Sequence, residues 1–236
     1  MGEIIHSLQD MTHLIWTRTR HSSGTAGSFL KAYDIVDGRR VYYKLSNYDA
    51  YDGIVGHECI NEIVADRLLT AMGIEHLSYR LIHGMILLDG RERETWLCAS
   101  DDFKQKGEKK IALDAFYEME RQAGESPLEF CVRSGFGEYI DQMLLVDYLI
   151  ENRDRHGANI ELLKNPKFKA IRPAPLFDHG LSLLFTCHSD EELRDFDIAR
   201  QYAVQCFVGS RDTFRNLSLI SCEGRRKLIA FDQTLR

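Results

Sequence analysis

The hydrophobic pattern changes part-way along the chain, and this change constrains the fold more than any other feature of the sequence. In the first hundred residues, two pairs of strand-like runs are joined by the turn sequences Asp37-Gly38 and Asp89-Gly90. Asp-Gly between two such runs is typical of an antiparallel hairpin. From residue 112 onward, helical patterns dominate. Strands first and helices afterwards predict an α+β fold.

The same pattern predicts the individual elements. We expect strand-like runs at 11–18, 28–36, 40–45, 77–88 and 93–99. We expect helices at 55–72, 112–123, 127–134 and 139–151, with short helices from 190 to the end. Gly73 is the predicted C-cap of the first helix. A charged, glycine-containing connector at 101–110 predicts two lobes, residues 1–100 and 101–236, within one bilobal domain.

Composition excludes several classes of protein. The 236 residues carry 30 basic and 36 acidic side chains, a net charge of −6, whereas duplex-binding domains usually have a basic excess. We therefore expect no direct contact with nucleic acid. No uncharged stretch approaches the ~18 apolar residues that a membrane span needs, and no signal peptide is visible. Six scattered cysteines without a Cys-x-x-Cys pair are typical of a reducing compartment, which predicts a cytoplasmic protein.

The densest group of polar side chains, residues 151–159, follows an apolar helical run. Within it Asp154 and Asn159 are five residues apart, and Asp178 follows in the sequence Pro-Leu-Phe-Asp-His-Gly. Phosphoryl transfer uses such a set. One carboxylate orients the acceptor hydroxyl, while an amide oxygen and a second carboxylate hold Mg²⁺ on the nucleotide phosphates. The spacing therefore predicts a site for a nucleoside triphosphate.

The other half of such a site is expected upstream. A loop of small residues, 21–29, lies between two strand-like runs, and its backbone N–H groups can approach phosphate oxygens. Lys44, at the end of a strand, can place a positive charge on the α- and β-phosphates. Glu58 or Glu62 on the following helix can pair with this lysine. Glu62 is the better candidate because it lies among Ile60, Ile63 and Val64, near the face we expect to point inward.

The order of these motifs resembles that of the protein-kinase-like superfamily, and their spelling is more specific. Asn152-x-Asp154-x-His156-x-x-Asn159, the sequence 175–180 and the pair Asn61-Glu62 resemble HipA-like serine/threonine kinases. The loop sequence 23–31 resembles that of short, stand-alone HipA-domain proteins. Asp-Arg-His-x-x-Asn is also similar to phosphatidylinositol 3- and 4-kinases. The likeness covers about residues 20 to 185 and implies a bilobal kinase that uses ATP and Mg²⁺.

The resemblance implies a role for each residue of these motifs. Asp154 is the implied catalytic aspartate, Asn159 and Asp178 are the metal ligands, and Lys44 with its partner Glu62 binds phosphate. His156 either holds the loop through hydrogen bonds or shares proton transfer with Asp154. The expected nucleotide-binding residues also include the glycine-rich loop and the connection whose backbone meets adenine, namely Ser23, Gly24, Thr25, Ala26, Gly27, Ser28, Cys98 and Ser100. Ser22 and Ser23 either are autophosphorylated or only donate hydrogen bonds to phosphate.

Three functions stay open from the sequence. The first is a HipA-like kinase that phosphorylates Ser or Thr of a protein and autophosphorylates. The second is a lipid or small-molecule kinase of the phosphatidylinositol-kinase type, although the acidic balance and the lack of a basic amphipathic helix do not favour a membrane substrate. The third is a pseudokinase that acts as a binding module in a toxin–antitoxin assembly. The expected partners are a protein substrate and an antitoxin-like protein.

Overall fold

The computed structural model describes residues 3–17, 29–197, 200 and 202–227. Its strands are β1 (Ile4–Asp10), β2 (Lys31–Val36), β3 (Arg39–Leu45), β4 (Tyr48–Asp49), β5 (Gly53–Ile54), β6 (Arg80–Leu88), β7 (Arg91–Asp101), β8 (Lys109–Ala112), β9 (Asp154–Arg155), β10 (Glu161–Asn165), β11 (Ala170–Pro173) and β12 (Gln205–Cys206). Its helices are α1 (Glu58–Met72), α2 (Leu113–Glu120), α3 (Pro127–Arg133), α4 (Gly137–Leu149), α5 (Asp190–Asp195) and α6 (Thr213–Leu217). The predicted loop 23–28 lies outside the described residues.

Five strands from the first part of the chain form one sheet in the order β1-β6-β7-β3-β2. Both predicted hairpins are present, as β2–β3 and β6–β7. In each turn the Asp and the Gly both have positive φ, 50° and 75° at Asp37-Gly38 and 51° and 73° at Asp89-Gly90. Two consecutive positive φ angles are the requirement of the type I′ turn, which explains why Asp-Gly predicts these hairpins correctly.

The prediction of the first strand was wrong. The apolar run 11–18 contains no long strand, and the structure instead has β1 upstream, parallel to β6 at the edge of the sheet. β1 has only three apolar residues, Ile4, Ile5 and Leu8, and most of the strand is exposed. Met11 and Leu14 supply the apolar contacts of the run, since both side chains are buried in the core beneath the sheet.

Helix α1 packs across β3, β6 and β7. It begins at Glu58, three residues later than predicted, and ends at Met72 before Gly73, whose φ of 66° gives the expected left-handed cap. Its inner face carries buried polar side chains beside apolar ones, which is unusual for a helix on a sheet. Those polar groups need partners, and the partners define the candidate site.

The chain after residue 101 is less purely helical than predicted. Helices α2, α3 and α4 are present and pack into the largest apolar cluster of the molecule. The structure adds a three-stranded sheet, β11-β10-β8, that we did not predict. Its strands have only four or five residues, too short to show a period of two clearly. The last residues of the predicted connector, 101–110, therefore belong to β8, which begins at Lys109.

The end of α4 and the pairing of β9 fix the position of the polar residues 152–159. Helix α4 ends when the backbone N–H of Asn152 bonds to the carbonyl of Asp147 at 2.8 Å, just after Glu151 with a φ of 51°. β9 then pairs in parallel with β12, and a 3₁₀ turn follows at Gly157–Asn159. Among the described residues, no helix combines the length and the apolar character needed to cross a bilayer.

Candidate active site

Lys44 and Glu62 form a buried ion pair between the sheet and α1. Tyr43 and Leu45 of β3 point into the apolar core on one face of the sheet. Because successive residues of a strand point to opposite faces, Lys44 lies on the other face. Its Nζ lies 2.9 Å from Oε1 of Glu62. Glu58 does not contact this lysine, and its carboxylate instead accepts a hydrogen bond from the backbone N–H of Asn47 at 2.9 Å.

Glu62 is fully buried, with 0% of its surface exposed. Of the three neighbours that led to this prediction, Ile63 is buried as expected, whereas Ile60 and Val64 are 40% and 44% exposed, so the stated reason was wrong in part. Burial raises the pKa of Glu62, and the positive charge of Lys44 opposes that rise. The backbone N–H of His179 donates a second hydrogen bond to its Oε2, at 2.9 Å. Helix α1 is thereby tied to the segment that follows Asp178.

Asp178 completes this cluster, which we call the lysine cluster (Lys44, Glu62, Asp178). Its carboxylate contacts Nζ of Lys44. Burial acts to raise the pKa of Asp178, but the charges of Lys44 and Lys31 outweigh it and lower that pKa well below the usual range. The residue has a φ of 60°, and its backbone N–H donates to the hydroxyl of Tyr79 at 3.4 Å. A left-handed backbone at a non-glycine residue is uncommon and is held here by contacts on both sides.

Asn61 holds the same segment from α1. Its Nδ2 donates to the carbonyls of Gly180 at 3.0 Å and Ser182 at 2.9 Å. The helix and the segment approach closely at Gly180, where a Cβ would lie 3.1 Å from Cβ of Glu58, so a larger residue would force the two apart by a few tenths of an ångström. The pair Asn61-Glu62, which the sequence singled out, therefore connects the helix to the residues that directly follow Asp178.

The polar loop, residues 152–159, brings Asp154 and Asn159 together. Nδ2 of Asn159 donates to the backbone carbonyl of Asp154 at 2.8 Å and to its Oδ2 at 3.3 Å. Because these bonds use the amide nitrogen, the amide oxygen is the donor that remains for a cation. Nε2 of His156 lies 3.6 Å from Oδ1 of Asp154, longer than a normal hydrogen bond.

Arg155 joins the polar loop to the lysine cluster, a role that we did not predict. It is 1% exposed and makes a bidentate pair with Asp147 of α4. Its Nη1 also donates to the carbonyls of Asn159 at 3.1 Å and Phe177 at 2.9 Å. One guanidinium thus fixes the residue before Asp178 relative to Asn159. Only its place in the polar cluster could have drawn attention to it, since sequence does not reveal burial of a charged side chain.

One cavity of about 1230 Å³ receives most of those predicted side chains that the structure describes. Its lining includes Lys44, Cys98, Ser100, Asp154, His156, Asn159 and Asp178. Glu62 is absent from the lining and stands behind Lys44. Phe29, the last residue of the predicted phosphate loop, and Lys31 also line the cavity. Cys98 and Ser100 lie on β7 opposite Lys44 and Tyr42 of β3, so the expected adenine edge adjoins the lysine.

The donor set suits a magnesium ion held partly by phosphate. In the part of the chain that the structure describes, no three His, Cys, Asp or Glu side chains could hold a metal together. Mg²⁺ commonly takes only one or two protein oxygens and completes its shell with water and substrate phosphates. The amide oxygen of Asn159 and the carboxylate of Asp178 are hard oxygen donors of this kind, so the residues fit the ion.

Comparison with known proteins identifies the fold. No protein-family model and no curated protein matches the sequence. Among solved structures, the Helicobacter pylori proinflammatory kinase CtkA matches with a TM-score of 0.61 and 15% identity, over 96% of this chain and 83% of that chain. A toxin–antitoxin complex of HipA, HipB and operator DNA from Shewanella oneidensis matches with a TM-score of 0.50 and 16% identity, over 91% of this chain and 59% of that one. The predicted α+β kinase-like fold is confirmed, as is the likeness to HipA-like kinases at the level of the fold.

Proposed function

We propose that the chain is an ATP-dependent phosphotransferase, a HipA-like serine/threonine kinase that transfers the γ-phosphoryl group of MgATP to a hydroxyl of a protein. The observation that carries this proposal is the convergence of Lys44, Asp154, Asn159 and Asp178 on one cavity. Residues 1–100 would form the nucleotide-binding lobe and residues 101–236 the catalytic lobe of a single kinase domain. The likeness to kinases in fold supports this assignment.

Each side chain has a definite task in such a reaction. Asp154 accepts a hydrogen bond from the acceptor hydroxyl and aims its oxygen at the phosphorus. Lys44, held by Glu62, binds the phosphates through its charge. Asn159 and Asp178 would hold Mg²⁺, which neutralises charge on the phosphates when bound. Most of the rate acceleration then comes from positioning and charge rather than covalent catalysis.

Related observations support the finer points. The backbone at Cys98 and Ser100 would meet adenine, and the loop 23–28 would cover the phosphates. Ser22 and Ser23 of that loop are the proposed autophosphorylation sites. The kinase HipA of the Shewanella complex is bound to HipB and operator DNA, which supports an antitoxin-like protein as a partner of this chain. All six cysteines are unpaired, in keeping with a cytoplasmic location.

Transfer of labelled phosphate from ATP tests the proposal. In the presence of Mg²⁺ the parent protein should label itself or a generic protein acceptor. Asp154→Ala and Asp178→Ala should lower the rate by at least ~10²-fold, the usual size for a group that acts directly on the reacting atoms. Asp195→Ala, an exposed aspartate of α5, is the matched control and should label like the parent.

Three results would count against the proposal. Equal labelling by the parent and both active-site variants would refute the assigned site. Stabilisation by MgATP without any transfer would instead favour a pseudokinase that acts as a binding module. Labelling of phosphoinositide vesicles but not of protein would favour a lipid kinase.

A further inference from the structure

Glu161, the first residue of β10, carries a carboxylate in the cavity to which the proposed function gives no task. It lines the cavity, and 10% of its side chain is exposed. Its Oε2 is enclosed and has no hydrogen-bond partner, because Nζ of Lys110 lies 3.7 Å away, beyond hydrogen-bond distance. Among the described residues, none donates a hydrogen bond to Oε1 either, and this oxygen is not enclosed. A ligand in the cavity can therefore reach the carboxylate through Oε1.

Two other buried glutamates show how unusual this carboxylate is. The oxygens of Glu62 accept hydrogen bonds from Lys44 and from a backbone N–H, each at 2.9 Å. Those of Glu108 accept two hydrogen bonds from Arg172, at 3.0 and 3.2 Å. Buried polar groups in proteins are nearly always hydrogen-bonded, because burial without a partner costs free energy. A buried carboxylate that lines a cavity and has no donor is suited to accept a hydrogen bond from a ligand.

The contacts of Lys110 place Glu161 at the end of the cavity where the base is expected. Besides contacting Glu161, Nζ of Lys110 lies 3.5 Å from Oδ1 of Asp102 and 5.6 Å from the ring centroid of Tyr42. Tyr42 pairs across the sheet with Ser100, and Asp102 follows Ser100 by two residues. Ser100 belongs to the connection whose backbone would meet the base. A base bound at this connection would therefore lie next to the Glu161 carboxylate.

We propose that Glu161 selects the nucleobase, because its carboxylate accepts a hydrogen bond from the exocyclic amino group of a purine, at C6 in adenine or at C2 in guanine. This inference rests on the proposed function and adds a specificity-determining residue to its nucleotide site. Burial raises the pKa of Glu161, and the positive charge of Lys110 opposes that rise. An ionised carboxylate can only accept hydrogen bonds. A purine without the amino group would leave it unpaired, which is the usual way in which a polar site rejects an analogue.

Binding of matched nucleoside diphosphates with Mg²⁺, measured by calorimetry, tests the proposal without phosphate transfer. ADP and purine riboside diphosphate differ only in the 6-amino group, and GDP and IDP differ only in the 2-amino group. The parent should bind the amino-bearing member of one pair at least about tenfold more tightly, as expected for a charge-assisted hydrogen bond. We expect this in the adenine pair, and a preference in the guanine pair alone would identify GTP as the nucleotide.

Three variants show whether Glu161 causes the preference. Glu161→Leu should bind both members of the pair equally. Glu161→Gln keeps a neutral acceptor and should reduce the preference to roughly threefold. Asp101→Asn is the matched control and should keep the full preference, because this carboxylate also lines the cavity but is paired with Arg80 at 2.9 Å.

The inference would be overturned by equal binding within both pairs in the parent, or by a full preference that survives in Glu161→Leu. Melting temperatures check that each variant is folded, and if Glu161→Leu does not fold, an unchanged preference in Glu161→Gln would overturn the inference instead. A preference that depends on Glu161 in a protein that transfers no phosphate would support the inference and refute the proposed function. Phosphate transfer without any base preference would do the reverse.

Discussion

The lysine cluster and the polar loop differ in how completely their charged groups are paired. In the lysine cluster, one cation contacts two carboxylates, and backbone N–H groups from His179 and Asp178 bond to Glu62 and Tyr79. In the polar loop, Asp154 is half-buried, with His156 at 3.6 Å and an amide contact at 3.3 Å. The first region is assembled before substrate binds, whereas the second keeps oxygen atoms available for substrate. This division suits a site that fixes the nucleotide and then orients an acceptor.

The largest expected effect is on activity at the available carboxylate. Asp154→Asn keeps the shape of the side chain and removes its charge, so kcat should fall by ~10²–10⁴-fold. The kcat of His156→Gln should fall by less. Nε2 of His156 lies 3.6 Å from Oδ1 of Asp154, too far for direct proton exchange, so we expect this ring to orient the loop. Steady-state rates with labelled ATP measure both. A larger loss in His156→Gln than in Asp154→Asn would reverse the two roles.

The largest effect on stability is expected in the lysine cluster. Lys44→Met leaves two carboxylates without their cation, and breaking a buried pair typically costs ~3–5 kcal/mol of unfolding free energy. Urea denaturation measures the change. Lys164→Met, on the exposed side of β10, is the control and should change stability by less than ~0.5 kcal/mol. A similar loss of unfolding free energy in Lys44→Met and Lys164→Met would mean that the lysine cluster is not prearranged.

Arg155 tests whether the two regions are coupled. Arg155→Lys cannot reach Asp147 and both carbonyls at once, so at least one buried acceptor is left without a donor, at a cost of ~1–3 kcal/mol. The proposed metal ligands Asn159 and Asp178 should also shift relative to each other. This shift would raise the Mg²⁺ concentration needed for the half-maximal rate. An unchanged Mg²⁺ requirement in a destabilised variant would limit Arg155 to a structural role.

The smallest effects are expected in the dependence of stability on pH, where the two carboxylates have opposite signs. The lowered pKa of Asp178 means that its contribution is present above the usual aspartate range and is lost as pH falls below it. The raised pKa of Glu62 means that its contribution is present at low pH and is lost as pH rises through the raised value. Urea denaturation of the parent, Asp178→Asn and Glu62→Gln across acidic pH gives the difference in unfolding free energy between the parent and each variant. Plotted against pH, the two differences should therefore have slopes of opposite sign. Slopes of the same sign would contradict the charge arrangement.

What the sequence could and could not predict follows from how local each feature is. The Asp-Gly turns at 37–38 and 89–90 were predicted correctly because a two-residue turn depends on the φ angles of those two residues. The Lys44–Glu62 contact matches a motif with fixed order along the chain. The position of β1 was missed because only its pairing with distant β6 decides it. The exposure of Ile60 and Val64 was missed because the helix buries a polar stripe instead, and the role of Arg155 depends on contacts with residues as far away as Phe177.

A crystal structure with Mg²⁺ and a non-hydrolysable ATP analogue tests the central claim most directly. We expect the triphosphate in the 1230 Å³ cavity, with Nζ of Lys44 on phosphate oxygens and the ion held by Asn159 and Asp178. A triphosphate bound elsewhere, or an ion that contacts neither of these two side chains, would contradict it.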